Sequence, residues 1–158
     1  MHVAYPLTVY VDATCPLCMA EFASLKRHDR AARIALVDCS PHGFSDPFCT
    51  AAGIEAPALM RRIHARAADG RWLTGVPVFA AAYRAVGVDM VADVFASRRL
   101  AGLLNRAYPW IADHRTLLSR LGLVGLFGWC VDRLARRAQR RTAACGAQCQ
   151  APVNKRGG

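Results

Sequence analysis

No stretch of the 158 residues approaches the ~18 to 20 consecutive apolar residues that a membrane-spanning helix needs. A basic opening segment is missing too. Met1-His2-Val3-Ala4-Tyr5-Pro6 carries no Lys or Arg, and the first apolar run is interrupted by Asp12. The chain therefore reads as having no secretory signal, and the expected location is cytoplasmic. In that compartment a Cys-x-x-Cys is catalytic or metal-binding rather than a structural disulfide. Internal repeats are absent. Acidic residues are nearly absent from the last third: residues 98–158 hold twelve Lys/Arg against only Asp113 and Asp132, whereas residues 1–97 hold nine of each sign. The whole net charge of +10 thus belongs to the C-terminal part. With 54% apolar and 20% charged residues, the chain excludes wholesale disorder and is long enough to bury a core.

What is present has a clear order. Leu7-Thr8-Val9-Tyr10-Val11 alternates β-branched and aromatic residues and predicts a strand. Asp12-Ala13-Thr14 turns the chain, and a helix opens at Pro16, where the missing proline N–H would be unpaired anyway. Met19, Phe22 and Leu25 form its inward stripe. Ile34 to Asp38 is a second strand, so the three pieces make a βαβ unit with parallel, adjacent strands. Residues 41–56 predict a loop with at most a short helix, and Pro57 to Arg62 a helical turn. Two short alternating runs around Asp69-Gly70 predict a hairpin. Val76 to Val86 is apolar at helical spacing and stops at Gly87, with Pro77 opening it after Gly75. The order β-α-β-(α)-β-β-α is that of an α/β, thioredoxin-like three-layer fold. Beyond it, Asp89 to Arg106 predicts one helix ended by Tyr108-Pro109, and a last helix runs from about Thr116 to Arg141. The expected division is a thioredoxin-like domain over 5–97, a basic α-helical C-terminal extension over 98–141 and a tail over 142–158.

Chemistry concentrates at Cys15-Pro16-Leu17-Cys18. Cys15 stands where a strand hands over to a helix, so the free N–H groups of the first turn point at its sulfur and favour the thiolate, which is the nucleophile. Cys18 lies one turn on, on the same face, placed to attack a mixed disulfide on Cys15 and release the reduced substrate. The expected roles are Cys15 attacking and Cys18 resolving, with Thr14 and Pro16 supporting the turn. Two roles are open to Asp12, and they are compatible: accepting the proton of Cys18 as it attacks, or binding the N–H groups of the turn. Zinc is the alternative for the same cysteines. It needs two more ligands from Cys39, His42, Cys49, Cys145 and Cys149, and none of these forms a second knuckle. No metal is therefore expected. His2, His28, His42, His64 and His114 are scattered and read as surface or core-edge groups, while Cys39 and Cys130, in apolar runs, read as inert buried thiols.

At these residues the chain resembles the DCC family of thiol–disulfide oxidoreductase-like proteins, named for the Asp and two Cys of a D-x-x-C-x-x-C segment after the first strand. Here that segment is Asp12-Ala13-Thr14-Cys15-Pro16-Leu17-Cys18, followed by Glu21 at a position the family often makes acidic. Val37-Asp38, Asp69-Gly70, Gly75 and the Tyr108 to Arg115 stretch are similar as well. The resemblance spans about residues 6 to 120 and implies a thioredoxin-like fold and a redox role carried by Asp12, Cys15 and Cys18. It departs from the pattern at Ala13, where the family has Gly, and offers no thioredoxin-type cis-proline over Ala58 to Arg62. The Cys-Pro-x-Cys spelling also resembles glutaredoxins, which brings in glutathione as a candidate reductant; no bound cofactor is implied.

The C-terminal part adds candidate partners. Residues 121–131 carry no charge, and Arg133, Arg136, Arg137, Arg140 and Arg141 follow at spacings of three and four. A helix over 121–141 reads first as packing its apolar part on the core, with the arginines as a solvated face, since three glycines suit close packing. Peripheral contact with an anionic membrane is the alternative, and a homodimer is a third use. Nucleic acid is not expected, because no helix-turn-helix and no aromatic platform accompanies the arginines. The expected activity is thiol–disulfide exchange on a protein or small-molecule disulfide. A non-catalytic zinc-binding or membrane-surface module is the alternative.

Overall fold

The structure is a computed structural model that describes residues 2–114 together with 129, 133, 136 and 137. Its elements run β1 (Leu7–Val11), α1 (Pro16–His28), β2 (Ile34–Asp38), α2 (Pro47–Ala51), α3 (Ala56–Arg61), β3 (His64–Arg66), β4 (Trp72–Thr74), α4 (Val76–Ala85), α5 (Asp89–Ala96) and α6 (Arg98–Asp113). The sheet order is β2-β1-β3-β4. β1 pairs in parallel with β2, Leu7 opposite Ile34 and Val11 opposite Asp38. It pairs antiparallel with β3, Val9 opposite Ala65, and β3 and β4 form the hairpin around Asp69-Gly70. This mixed sheet with its helices is consistent with a thioredoxin-like α/β fold.

Alternation along β1 sorts the core into two layers. Leu7, Val9 and Val11 face Phe22 and Leu25 of α1 and Val78, Ala82 and Tyr83 of α4. Tyr10 points the other way, into Cys39, Cys49 of α2 and Leu59 of α3, with its ring stacked on Trp72 at 5.5 Å. A strand buried on both faces belongs at the centre of a sheet, and that central place puts the end of β1, and the cysteines after it, over the middle of the molecule.

The long helix expected over Asp89 to Arg106 is two helices, and Pro109 does not end the second. Ser97 takes an extended backbone (φ −65°, ψ 120°) between α5 and α6. Pro109 then lies inside α6, although proline in a helix interior forfeits a hydrogen bond and costs ~3 kcal/mol. Its neighbour Tyr108 offsets that. The Tyr108 hydroxyl accepts a hydrogen bond from the Ile63 N–H at 3.0 Å, its ring meets Phe79 edge-on at 6.1 Å, and it lies against Gly75, whose φ of +70° suits glycine. Residue 98 is therefore the start of an element that joins the core. The last helix, its uncharged 121–131 run, and the tail with Cys145 and Cys149 fall outside the described residues, apart from the four helical positions. Among those four, the Arg133 guanidinium lies over the Trp129 ring, 5.4 Å from its centroid.

A dithiol at the head of helix α1 and the cavity beside it

Cys15 is the N-cap of α1 (φ −92°, ψ 106°), and its Sγ accepts the N–H of Cys18 at 3.4 Å. Pro16 follows at the first helical position, and the helix ladder begins with the Met19 N–H on the Cys15 carbonyl at 3.0 Å. The sulfur thus takes the place that a Ser or Asp oxygen commonly fills at a helix start, beside the positive end of the helix dipole. No disulfide joins the two cysteines in this structure. Cys15 is only 2% exposed, whereas Cys18 is half-buried.

The turn that delivers Cys15 is held by two carboxylates. Asp12 is buried, and its Oδ1 accepts the Thr14 N–H at 2.9 Å and the Thr14 hydroxyl at 2.5 Å. The Cys15 N–H in turn donates to the Asp12 carbonyl at 3.1 Å. From the end of β2, Asp38 Oδ1 accepts the Ser40 hydroxyl at 2.6 Å, the Ser40 N–H at 2.9 Å and the Ala13 N–H at 3.2 Å. The Ser40 hydroxyl and N–H hold the Asp38 carboxyl below the usual carboxylate range. Asp38 is thus a site-building residue whose role the sequence pattern did not give.

A cavity of about 620 Å³ opens beside Cys18. Among the described residues its wall takes Asp12, Cys18, Glu21 and Phe22 from the β1–α1 segment, Phe79 from α4, and Tyr108 and Trp110 from α6. Arg61 and Arg62 line it as exposed residues. Glu21, one turn after Cys18, is buried and accepts a hydrogen bond from the Tyr83 hydroxyl at 3.1 Å. Burial pushes its carboxyl up to about 7. The other two described cysteines lie elsewhere. Cys39 donates its thiol to the Val11 carbonyl at 3.2 Å, and burial raises it to about 11; burial raises Cys49 as well. Both stay protonated at neutral pH, as befits packed thiols. Among the described residues, no three His, Cys, Asp or Glu side chains are grouped to hold a metal ion, and no helix is long and apolar enough to cross a membrane.

A mixed sheet with its helices thus carries two thiols across the first turn of α1. The chain belongs to the DCC1-like thiol-disulfide oxidoreductase family, whose pattern it matches over residues 9–121. It is 29% identical over 112 residues to an uncharacterized chloroplastic protein of Arabidopsis thaliana, an alignment covering 70% of this chain and 51% of that one. The chain therefore spans about half the length of that relative. No solved structure gives a significant match.

Proposed function

We propose that the Cys15–Cys18 pair is a redox dithiol that exchanges with a disulfide substrate. The observation that carries this reading is Cys15 as the helix N-cap, with its sulfur accepting the Cys18 N–H at 3.4 Å. That hydrogen bond and the helix dipole favour the charged form of sulfur. In the order expected from the sequence, the Cys15 thiolate attacks one sulfur of the substrate, a Cys15–substrate disulfide forms and one substrate thiolate leaves. Cys18 gives up its proton, with Asp12 as the nearby acceptor, and its thiolate attacks Cys15 Sγ. The second substrate thiolate departs, and the protein holds a Cys15–Cys18 disulfide.

A second order is favoured by burial. Cys15 is 2% exposed, and it is Cys18 that stands on the cavity wall. In this order the substrate sulfur bonds to Cys18, and Cys15, stabilised as a thiolate at the helix start, displaces it. The chemistry balances identically, and only the sulfur carrying the intermediate differs. Single-cysteine variants separate the two. With a disulfide substrate, Cys18→Ser accumulates a mixed disulfide on Cys15 in the first order, and Cys15→Ser accumulates one on Cys18 in the second. Failure of both variants to trap any adduct, with no disulfide formed in the parent chain, removes the redox function itself.

A further inference from the structure

We infer that the cavity beside Cys18 is a substrate site for a small, mainly apolar disulfide or dithiol that ends in an acidic group. This rests on the redox reading above and adds the class of substrate. The volume of about 620 Å³ falls within the ~300–1,000 Å³ common to small-molecule sites. Its wall is built from Phe22, Phe79, Phe95, Leu104, Tyr108 and Trp110, with few polar groups among them. Two of the wall's large apolar residues are left open to solvent: Trp110 is 57% and Ile111 39% exposed. Glutathione suits such a wall less well: Arg61 and Arg62 would meet its carboxylates, but its ammonium and amides would lie against apolar side chains and lose water.

The charged groups on the wall define the remaining feature. Asp12 accepts two hydrogen bonds from Thr14, and Glu21 accepts one from Tyr83. Arg61 and Arg62 are exposed and so stand where the cavity meets water. They complement a carboxylate on the ligand. Lipoate, a cyclic disulfide on an aliphatic chain ending in a carboxylate, is the simplest probe of this class. The Cys18 thiolate attacks one ring sulfur, forming a Cys18–ligand disulfide and opening the ring to a thiolate that takes up a proton. The Cys15 thiolate then attacks Cys18 Sγ and expels the second ligand sulfur, which is also protonated. Two electrons and two protons pass from the protein dithiol to lipoate, giving dihydrolipoate and the Cys15–Cys18 disulfide.

The test is a single-turnover oxidation of the reduced full chain by lipoate, oxidised glutathione or hydroxyethyl disulfide. Formation of the Cys15–Cys18 disulfide is read by peptide mass spectrometry, and each rate is divided by that of the same disulfide with dithiothreitol. The expected result is a normalised rate for lipoate at least tenfold above the other two. Ala107 of α6 also lines the cavity, and Ala107→Trp, which narrows it, should lower the ratio of lipoate to hydroxyethyl disulfide. Should that variant fail to fold, Arg61→Glu/Arg62→Glu, at exposed positions, should lower the lipoate rate relative to neutral lipoamide. Equal normalised rates, or a preference for glutathione, overturn the proposal while leaving the redox reading intact. No Cys15–Cys18 disulfide with any of the three removes the redox reading and this inference together.

Discussion

Glu21 brings a carboxyl into the interior, where it accepts a hydrogen bond from the Tyr83 hydroxyl, and its proton affinity follows from that burial. Its folded value of about 7 lies above the ordinary 4.5, so the folded chain binds this proton more tightly than the unfolded one. The stabilising effect is complete below about pH 4.5 and is lost as the pH rises through about 7, a change of at most about 3 kcal/mol. Glu21→Gln should flatten the pH dependence of urea unfolding between these limits and leave the protein more stable than the parent at pH 8. An unchanged slope would place the proton elsewhere. Asp12 calls for a different test, because its carboxylate both holds Thr14 and stands on the wall with Cys18. Asp12→Asn keeps an oxygen for the Thr14 N–H. It should therefore unfold within about 1 kcal/mol of the parent, yet slow disulfide exchange by about a hundredfold or more, the lower edge of what a general base contributes. An unaffected rate would assign Asp12 to the turn alone.

Among the elements, β1, α1 and β2 could be read from residue order, because alternation, the Asp-Ala-Thr turn and Pro16 are local signals. So could α4, whose Val76–Ala85 span follows Gly75 and contains Pro77 near its start. The α5–α6 break was not legible. Ser97 adopts its extended backbone without a side-chain cap, and the helical course through Pro109 is held by Tyr108, whose partners Ile63 and Gly75 are remote in sequence. Tertiary contact outweighs local preference there. Tyr108→Phe keeps the ring and removes the acceptor of the Ile63 N–H. The expected cost is about 1 to 3 kcal/mol in urea unfolding. A loss below a few tenths of a kcal/mol would mean that the helix is anchored by the ring alone.

For the whole molecule, the dithiol was legible as a motif, but its surroundings were not. Spacing places Cys15 and Cys18 one turn apart; it does not say that Cys15 is enclosed, or that α4, α5 and α6 close a cavity against Cys18. That cavity is assembled by residues up to about a hundred positions apart, beyond the reach of periodicity. The fold also sorts the cysteines chemically. Cys39 and Cys49 are buried, with thiols shifted upward by that burial, while Cys18 is only half-buried and lines the cavity. Brief iodoacetamide treatment of the reduced native protein at pH 7 should therefore label Cys18 well ahead of Cys39 and Cys49, a difference that denaturant abolishes. Equal labelling in the native state would contradict the described packing.

Cys15 and Cys18 are expected to interconvert between dithiol and disulfide, and a redox titration of the native chain reads that interconversion out. The protein is equilibrated across ratios of reduced to oxidised dithiothreitol, quenched with acid, alkylated and mapped by mass spectrometry. The expected result is a single reversible two-electron transition confined to the Cys15–Cys18 peptide, with Cys39 and Cys49 reduced throughout. Independent alkylation of Cys15 and Cys18 at every ratio, or a disulfide that joins either one to another cysteine instead, would contradict the account.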